Sequence, residues 1–205
     1  MNSPNKSIQV IELNAHSKVY GNRGGWVFTP SDLASLGDPR SVGMALTRMT
    51  RKGIIRKLAR GLYDYPIKHP TFGLIPPSPD AIAKALVRRD ASRIQPAGAY
   101  AANILGLSEQ VPARVVFLTD GATRKVKFGG QEIVLKRTTP RNMATADRKS
   151  GTLIQALRHI GRRNVDERTL GILKRQMASE DREQFAKDLH YAPAWIADIM
   201  RKLAS

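Results

Sequence analysis

The chain has 205 residues, with 34 Lys and Arg against 17 Asp and Glu and a formal net charge of +17. Hydrophobic residues make up 41%, enough for a buried core, so wholesale disorder is excluded and the basic excess points to a polyanionic partner, nucleic acid or an anionic surface. The absence of cysteine removes disulfide scaffolds, thiolate zinc sites and cysteine nucleophiles.

The chain opens on Met1-Asn-Ser-Pro-Asn-Lys6, which lacks the apolar stretch of a signal peptide. No later apolar run approaches the roughly 18 residues of a membrane span. A soluble cytoplasmic protein without a membrane partner is the expectation. The basic excess is distributed, +7 in residues 1–77, +6 in 78–145 and +4 in 146–205, which favours folded basic surfaces over a charged tail.

An opening helix is predicted from Lys6 to Val19, with Ile8, Ile11, Val19 and either Leu13 or Ala15 sharing a stripe. Gly21-Asn-Arg-Gly-Gly25 ends it. A short strand follows at Trp26–Thr29, and Thr29-Pro30-Ser31-Asp32 supplies a capping hydroxyl, a first-turn proline and an acid for a short helix to Leu36.

The segment from Arg40 to Lys52 is the most informative. Val42, Ala45, Leu46 and Met49 fall in a stripe roughly 100° wide, a core-facing side. Arg40, Met44, Thr47, Arg48 and Arg51 fall opposite, with no acid among them. A surface helix ordinarily mixes acids with its cations to gain i, i+4 pairs. Here the like charges await a polyanion, or else form a solvated basic face with no ligand. Ile54–Leu58, the tip Ala59-Arg60-Gly61 and Leu62–Tyr65 read as a basic hairpin.

Helix, strand, short helix, basic helix and basic hairpin is the order of a winged helix-turn-helix. In that architecture the basic helix lies in the major groove and the hairpin follows the backbone. Ser41, Met44, Thr47, Arg48 and Arg51 are therefore expected near base edges, and Arg40, Lys52, Arg56, Lys57 and Arg60 at phosphates.

Pro66 to Pro79 holds five of the twelve prolines and predicts a stiff linker. The expected organisation is a winged-helix domain at 1–66, a linker at 67–79 and a C-terminal domain at 80–205. Ser78-Pro79-Asp80 starts a helix with Ile82, Ala85 and Leu86 facing a core, and Ala97–Leu107 is a small-residue helix carrying Tyr100. Arg114–Thr119, Arg124–Phe128 and Glu132–Arg137 predict a small antiparallel sheet, one face of which offers Arg124 or Lys125, Lys127, Lys136 and Arg137. That face is either a second basic surface or ordinary protection of a sheet edge. A helical tail follows, with stripes at Leu153, Ile154, Leu157 and Ile160, at Leu170, Ile172 or Leu173 and Met177, and a last helix after Pro193 with Trp195, Ile196, Ile199, Met200 and Leu203 on one side. The fold class expected is α+β, the winged helix being followed by a mixed C-terminal domain.

Signs of catalysis are scarce. The histidines, His16, His69, His159 and His190, never fall at metal-binding spacing, and neither a nucleophile elbow nor a phosphate-binding loop is present. Asp120, Glu132 and Lys136 come nearest to a nuclease constellation, but four residues on a strand separate Glu132 from Lys136 by about 13 Å. No enzyme activity, metal or cofactor is expected.

Arg60-Gly-Leu-Tyr63, Ser78-Pro-Asp80, Gly98-Ala-Tyr100, Leu105-Gly-Leu107, the run Gln110-Val-Pro-Ala-Arg114-Val-Val-Phe-Leu-Thr-Asp-Gly121 and Arg137-Thr-Thr-Pro140 together resemble the AbiEi-type antitoxins of type IV toxin–antitoxin systems, over about residues 1–160. The resemblance implies a repressor that binds inverted repeats in its own double-stranded promoter DNA; whether it does so as a homodimer is left open. It also implies a C-terminal domain that counteracts a nucleotidyltransferase-like toxin, without a stable complex being required. The alternative is an antitoxin acting mainly by direct contact with its toxin, with DNA binding secondary. RNA is disfavoured because the aromatic residues, 6%, sit mostly at core-like positions.

Overall fold

In the computed structural model, residues 4–204 are described, and the chain divides between Ala91 and Ser92 into two compact units. Both contribute to a mixed α+β fold. Among the described residues, no helix is long and apolar enough to cross a membrane.

In the first unit, helix α1 (Pro4–Gly21) buries Ala15 and Val19, so Ala15 rather than Leu13 belongs to the inner stripe; Leu13 is exposed. The side chain of Ile8 lies outside the described residues. Strand β1 (Val27–Phe28) leads into a 3-10 turn, Pro30–Leu36, whose entry is fixed by the Asp32 carboxylate accepting from the Thr29 amide at 2.7 Å. Helix α2 (Pro39–Arg51) buries Val42, Ala45, Leu46 and Met49, the expected stripe, against Ala15, Val19, Phe28, Leu33 and Ile55. Strands β2 (Arg56–Ala59) and β3 (Leu62–Asp64) form a hairpin, and β1 adds to β3, giving the antiparallel order β1-β3-β2.

The segment expected to be a linker is structured. Strands β4 (Ile67–His69) and β5 (Gly73–Ile75) pair in register Ile67↔Ile75, Lys68↔Leu74 and His69↔Gly73. The prolines lie outside both strands, at Pro66, Pro70, Pro76, Pro77 and Pro79, so none removes an amide from the ladder. Helix α3 (Pro79–Arg88), expected in the C-terminal domain, belongs to the first unit. It packs on β1: Arg88 donates to Asp32 at 2.9 Å and to the Val27 carbonyl, and lies over the Trp26 ring at 6.0 Å. The domain boundary therefore falls at 91/92 and not at the proline segment.

In the second unit, β6 (Ile94–Ala97), β7 (Arg114–Thr119), β8 (Arg124–Phe128) and β9 (Gln131–Arg137) form a sheet in the order β6-β7-β9-β8. This sheet is mixed, which corrects the antiparallel expectation. The β8–β9 hairpin is antiparallel as expected, but β9 slots beside β7 in parallel, from Arg114↔Glu132 to Thr119↔Arg137. Strand β6 sits at the edge, where Pro96 is tolerated. Helix α4 (Gly98–Ile104) buries Tyr100 edge-on to Phe117 at 5.4 Å, a core position. The short α5 (Pro140–Met143) precedes α6 (Lys149–Ile160), α7 (Glu167–Arg175), α8 (Ser179–Asp188) and α9 (Ala194–Ala204). Leu153, Ile154, Leu157, Leu173, Phe185, Ile196, Met200 and Leu203 form their shared core, which absorbs the apolar face of α9 within its own unit.

Candidate nucleic-acid interface

Helix α2 is started by Asp38, whose carboxylate accepts from the amides of Arg40 at 3.0 Å and Ser41 at 3.1 Å, with Pro39 in the first turn. The hydrogen bond from the Ser41 side chain, then those from the Ser41 and Arg40 amides, hold this carboxyl below the usual carboxylate range. With the apolar stripe anchored, Arg40, Thr47 and Arg51 stand exposed on the far side, and Ser41, Met44 and Arg48 are half-buried beside them. Thr47 donates its hydroxyl to the Gly43 carbonyl at 2.9 Å, leaving its oxygen to accept.

Two features correct the sequence reading. The outer face of α2 carries no acid of its own, yet Glu12 of α1 reaches it: its carboxylate ion-pairs with Lys52 and lies 3.9 Å from Arg48. Those cations are partly neutralised from a helix 36 to 40 residues away. Arg56, expected at a phosphate, also braces the fold. It donates to the buried Asp64 carboxylate, Nε to Oδ1 at 3.0 Å, and to the Ile75 carbonyl at 2.8 Å. These bonds engage Nε and Nη2, and the two N–H donors of Nη1 are left for other acceptors.

Lys57 and Arg60 remain exposed on the β2–β3 hairpin, whose tip turns through Gly61 at φ +70°. Among the described residues, Arg40, Arg51, Lys57 and Arg60 make no ion pair. Residues 39–78 hold eight Lys and Arg and one acid, Asp64, which is buried and bound by Arg56. The exposed surface of α2 and the hairpins is therefore cationic, apart from Asp38 and Glu12 at its margins. Part of it lay outside the sequence reading: Lys68, Phe72 and Leu74 on the β4–β5 hairpin. The signal that could have found them was the lack of any acid from Tyr65 to Pro79.

In the second unit, Lys125, Lys127, Lys136 and Arg137 are exposed on β8 and β9. The acids nearest to a nuclease constellation are tied to arginines: Glu132 to Arg114 at 3.2 Å and Asp120 to Arg93 at 3.1 Å. Burial raises the Asp120 carboxyl, but hydrogen bonds from the Arg93 amide and guanidinium outweigh it and hold the group low. Among the described residues, no group of three or more His, Asp or Glu could hold a metal ion. On α6, burial and the neighbouring Arg141 charge lower Arg158, which donates to Asn142 at 2.9 Å.

A family model described as a family of unknown function, DUF6088, matches residues 15–185. The crystal structure of the RV2827C protein from Mycobacterium tuberculosis is similar at a TM-score of 0.50 and 17% sequence identity, covering 95% of this chain and 77% of that one. A likeness at that identity speaks to fold alone. No curated protein matches the sequence.

Proposed function

The chain belongs to the DUF6088 family, and we propose that it is a sequence-specific double-stranded DNA-binding repressor whose residues 4–65 form a winged helix. The observation that carries this reading is the surface of α2. Arg40, Thr47 and Arg51 are exposed opposite a fully buried stripe, and Lys57 and Arg60 continue the charge along the hairpin. Arg51, with Arg48, Thr47, Met44 and Ser41, meets base edges in the major groove, where an arginine fork grips guanine O6 and N7. Arg40, Lys57 and Arg60 hold phosphates, and Lys52 joins them when a phosphate displaces Glu12.

Following the resemblance of the run from Gln110 to Gly121 to AbiEi-type antitoxins, the repressor is proposed to autoregulate a two-gene module and to counteract a nucleotidyltransferase-like toxin. Gel shifts of the full chain test the DNA reading, comparing duplex from immediately upstream of its gene with random duplex. A preference for the upstream duplex that grows with salt supports it; equal affinity for both sinks sequence-specific repression. Co-expression with the neighbouring gene tests the antitoxin reading, which fails if growth inhibition by that gene product is unrelieved.

A further inference from the structure

We propose that the β4–β5 hairpin is a second DNA-contacting element, with Phe72 acting as an apolar wedge between base steps of a minor groove flanking the major groove that α2 enters. The inference rests on the DNA-binding reading above.

The hairpin is held firmly at its base. Arg56 donates to the Ile75 carbonyl at the end of β5, and Ile67 lies against Gly24 and Gly25, where an added Cβ would meet its side chain at 3.1 Å. The tip is fixed as well. His69 Nδ1 accepts from the amides of Thr71 at 3.1 Å and Phe72 at 3.2 Å, and Gly73 takes φ +69°. The Phe72 ring rests on the His69 ring, centroids 4.8 Å apart, and is 75% exposed. Phe72 shares the hairpin with two more exposed large apolar side chains, Ile67 and Leu74, so the apolar surface there is clustered and not a lone residue.

Charge decides what would cover it. No acid lies between Tyr65 and Pro79, and Lys68 stands exposed directly across the ladder from the exposed Leu74. The base of the hairpin adjoins the end of α2, where Lys52, Gly53 and Ile54 share a cleft of about 470 Å³ with Ile67 and Lys68. The base of the hairpin that carries Phe72 is thus continuous with the cationic surface. A partner that is polyanionic and offers apolar faces to an aromatic ring is duplex DNA, and apolar wedges at minor-groove base steps are an established way to bend it. The braced turn keeps the ordering cost of insertion low.

The test uses the full chain and a duplex of about 30 base pairs from upstream of its gene, labelled at its ends with donor and acceptor fluorophores. Wild type is expected to shorten the end-to-end distance, corresponding to a bend of roughly 20–90°. Phe72→Ala is expected to weaken binding about tenfold and to lose the bend, while Phe72→Trp keeps both. Phe72 has no core role, so circular dichroism should show both variants folded. If Phe72→Ala keeps wild-type affinity and bend, the wedge is overturned while DNA binding stands, and the hairpin then serves a protein surface. If wild type binds no duplex at all, the DNA-binding reading fails and the wedge fails with it.

Discussion

The Arg56 guanidinium joins two hairpins: it grips the buried carboxylate of Asp64 directly across the β2–β3 register and donates to the Ile75 carbonyl of β5. Breaking the pair from its two sides has unequal consequences. Arg56→Ala strands a carboxylate that is 1% exposed and is expected to cost about 3 kcal/mol in urea unfolding. In Asp64→Ala the guanidinium, itself partly exposed, can turn to water, so a smaller loss is expected. Arg56→Met with Asp64→Leu should recover much of the stability, because neither buried charge is then left alone. If the double variant is as unstable as Arg56→Ala, the ion pair is not what Arg56 supplies.

Under the proposed DNA-binding reading, base-reading and phosphate-holding cations respond differently to substitution. Arg51→Ala is expected to cost roughly 1–3 kcal/mol on the upstream duplex and to relax preference at one base position. Lys57→Ala and Arg60→Ala should instead weaken all duplexes alike and each lower the log–log salt slope by about 0.9. Binding isotherms at several salt concentrations distinguish these outcomes; identical slopes for wild type and Arg60→Ala would remove the hairpin tip from the interface.

Glu12 makes an opposite prediction. Its carboxylate pairs with Lys52 and lies beside Arg48, two cations that the proposed reading gives to DNA. Glu12→Gln is therefore expected to tighten binding to random duplex about fivefold, the worth of about 1 kcal/mol for a surface pair, and to narrow the ratio between specific and random sites. Unchanged random-duplex affinity would mean that α1 does not gate those cations.

The stripe Val42, Ala45, Leu46 and Met49 was legible because helical periodicity is local and one face of α2 is fully buried. What escaped was non-local. Glu12 meets Lys52 across 40 residues, and Arg56 meets Asp64 only once the hairpin register is set. The prolines of 66–79 suggest a linker by their number, but their placement permits structure: Pro66, Pro70 and Pro76 border the three-residue strands, and Pro79 opens α3. The Glu132–Arg137 strand looked like one arm of a hairpin, which it is, but its parallel pairing with Arg114–Thr119 depends on a neighbour that no local pattern encodes.

In the second unit, Asp188 is 1% exposed and takes hydrogen bonds from the Ser150 hydroxyl, from Arg148 at 2.7 Å and from Gln184 at 3.0 Å, tying α6 to α8. Asp188→Ala leaves the buried Ser150 hydroxyl without this acceptor and is expected to cost about 3 kcal/mol. Ser150→Ala removes one donor of three and should cost about 1 kcal/mol. Denaturant midpoints compare them; equal losses would show that packing of the helices, and not the carboxylate, dominates.

Acid should loosen α2 through its cap. The folded-state carboxyl of Asp38 lies below its ordinary value of 3.8, so its contribution is fully present above that value and is lost as pH falls through the lower, folded one. The causes are the hydrogen bonds from the Ser41 side chain and from the Ser41 and Arg40 amides, which only the ionised cap accepts in full. Asp38→Asn keeps an acceptor for those amides but has no titrating proton. Wild type is therefore expected to lose more stability than Asp38→Asn on acidification below about pH 4. Thermal unfolding of both chains between neutral pH and pH 3 measures the difference, and parallel curves would show that the Asp38 carboxylate is not linked to folding.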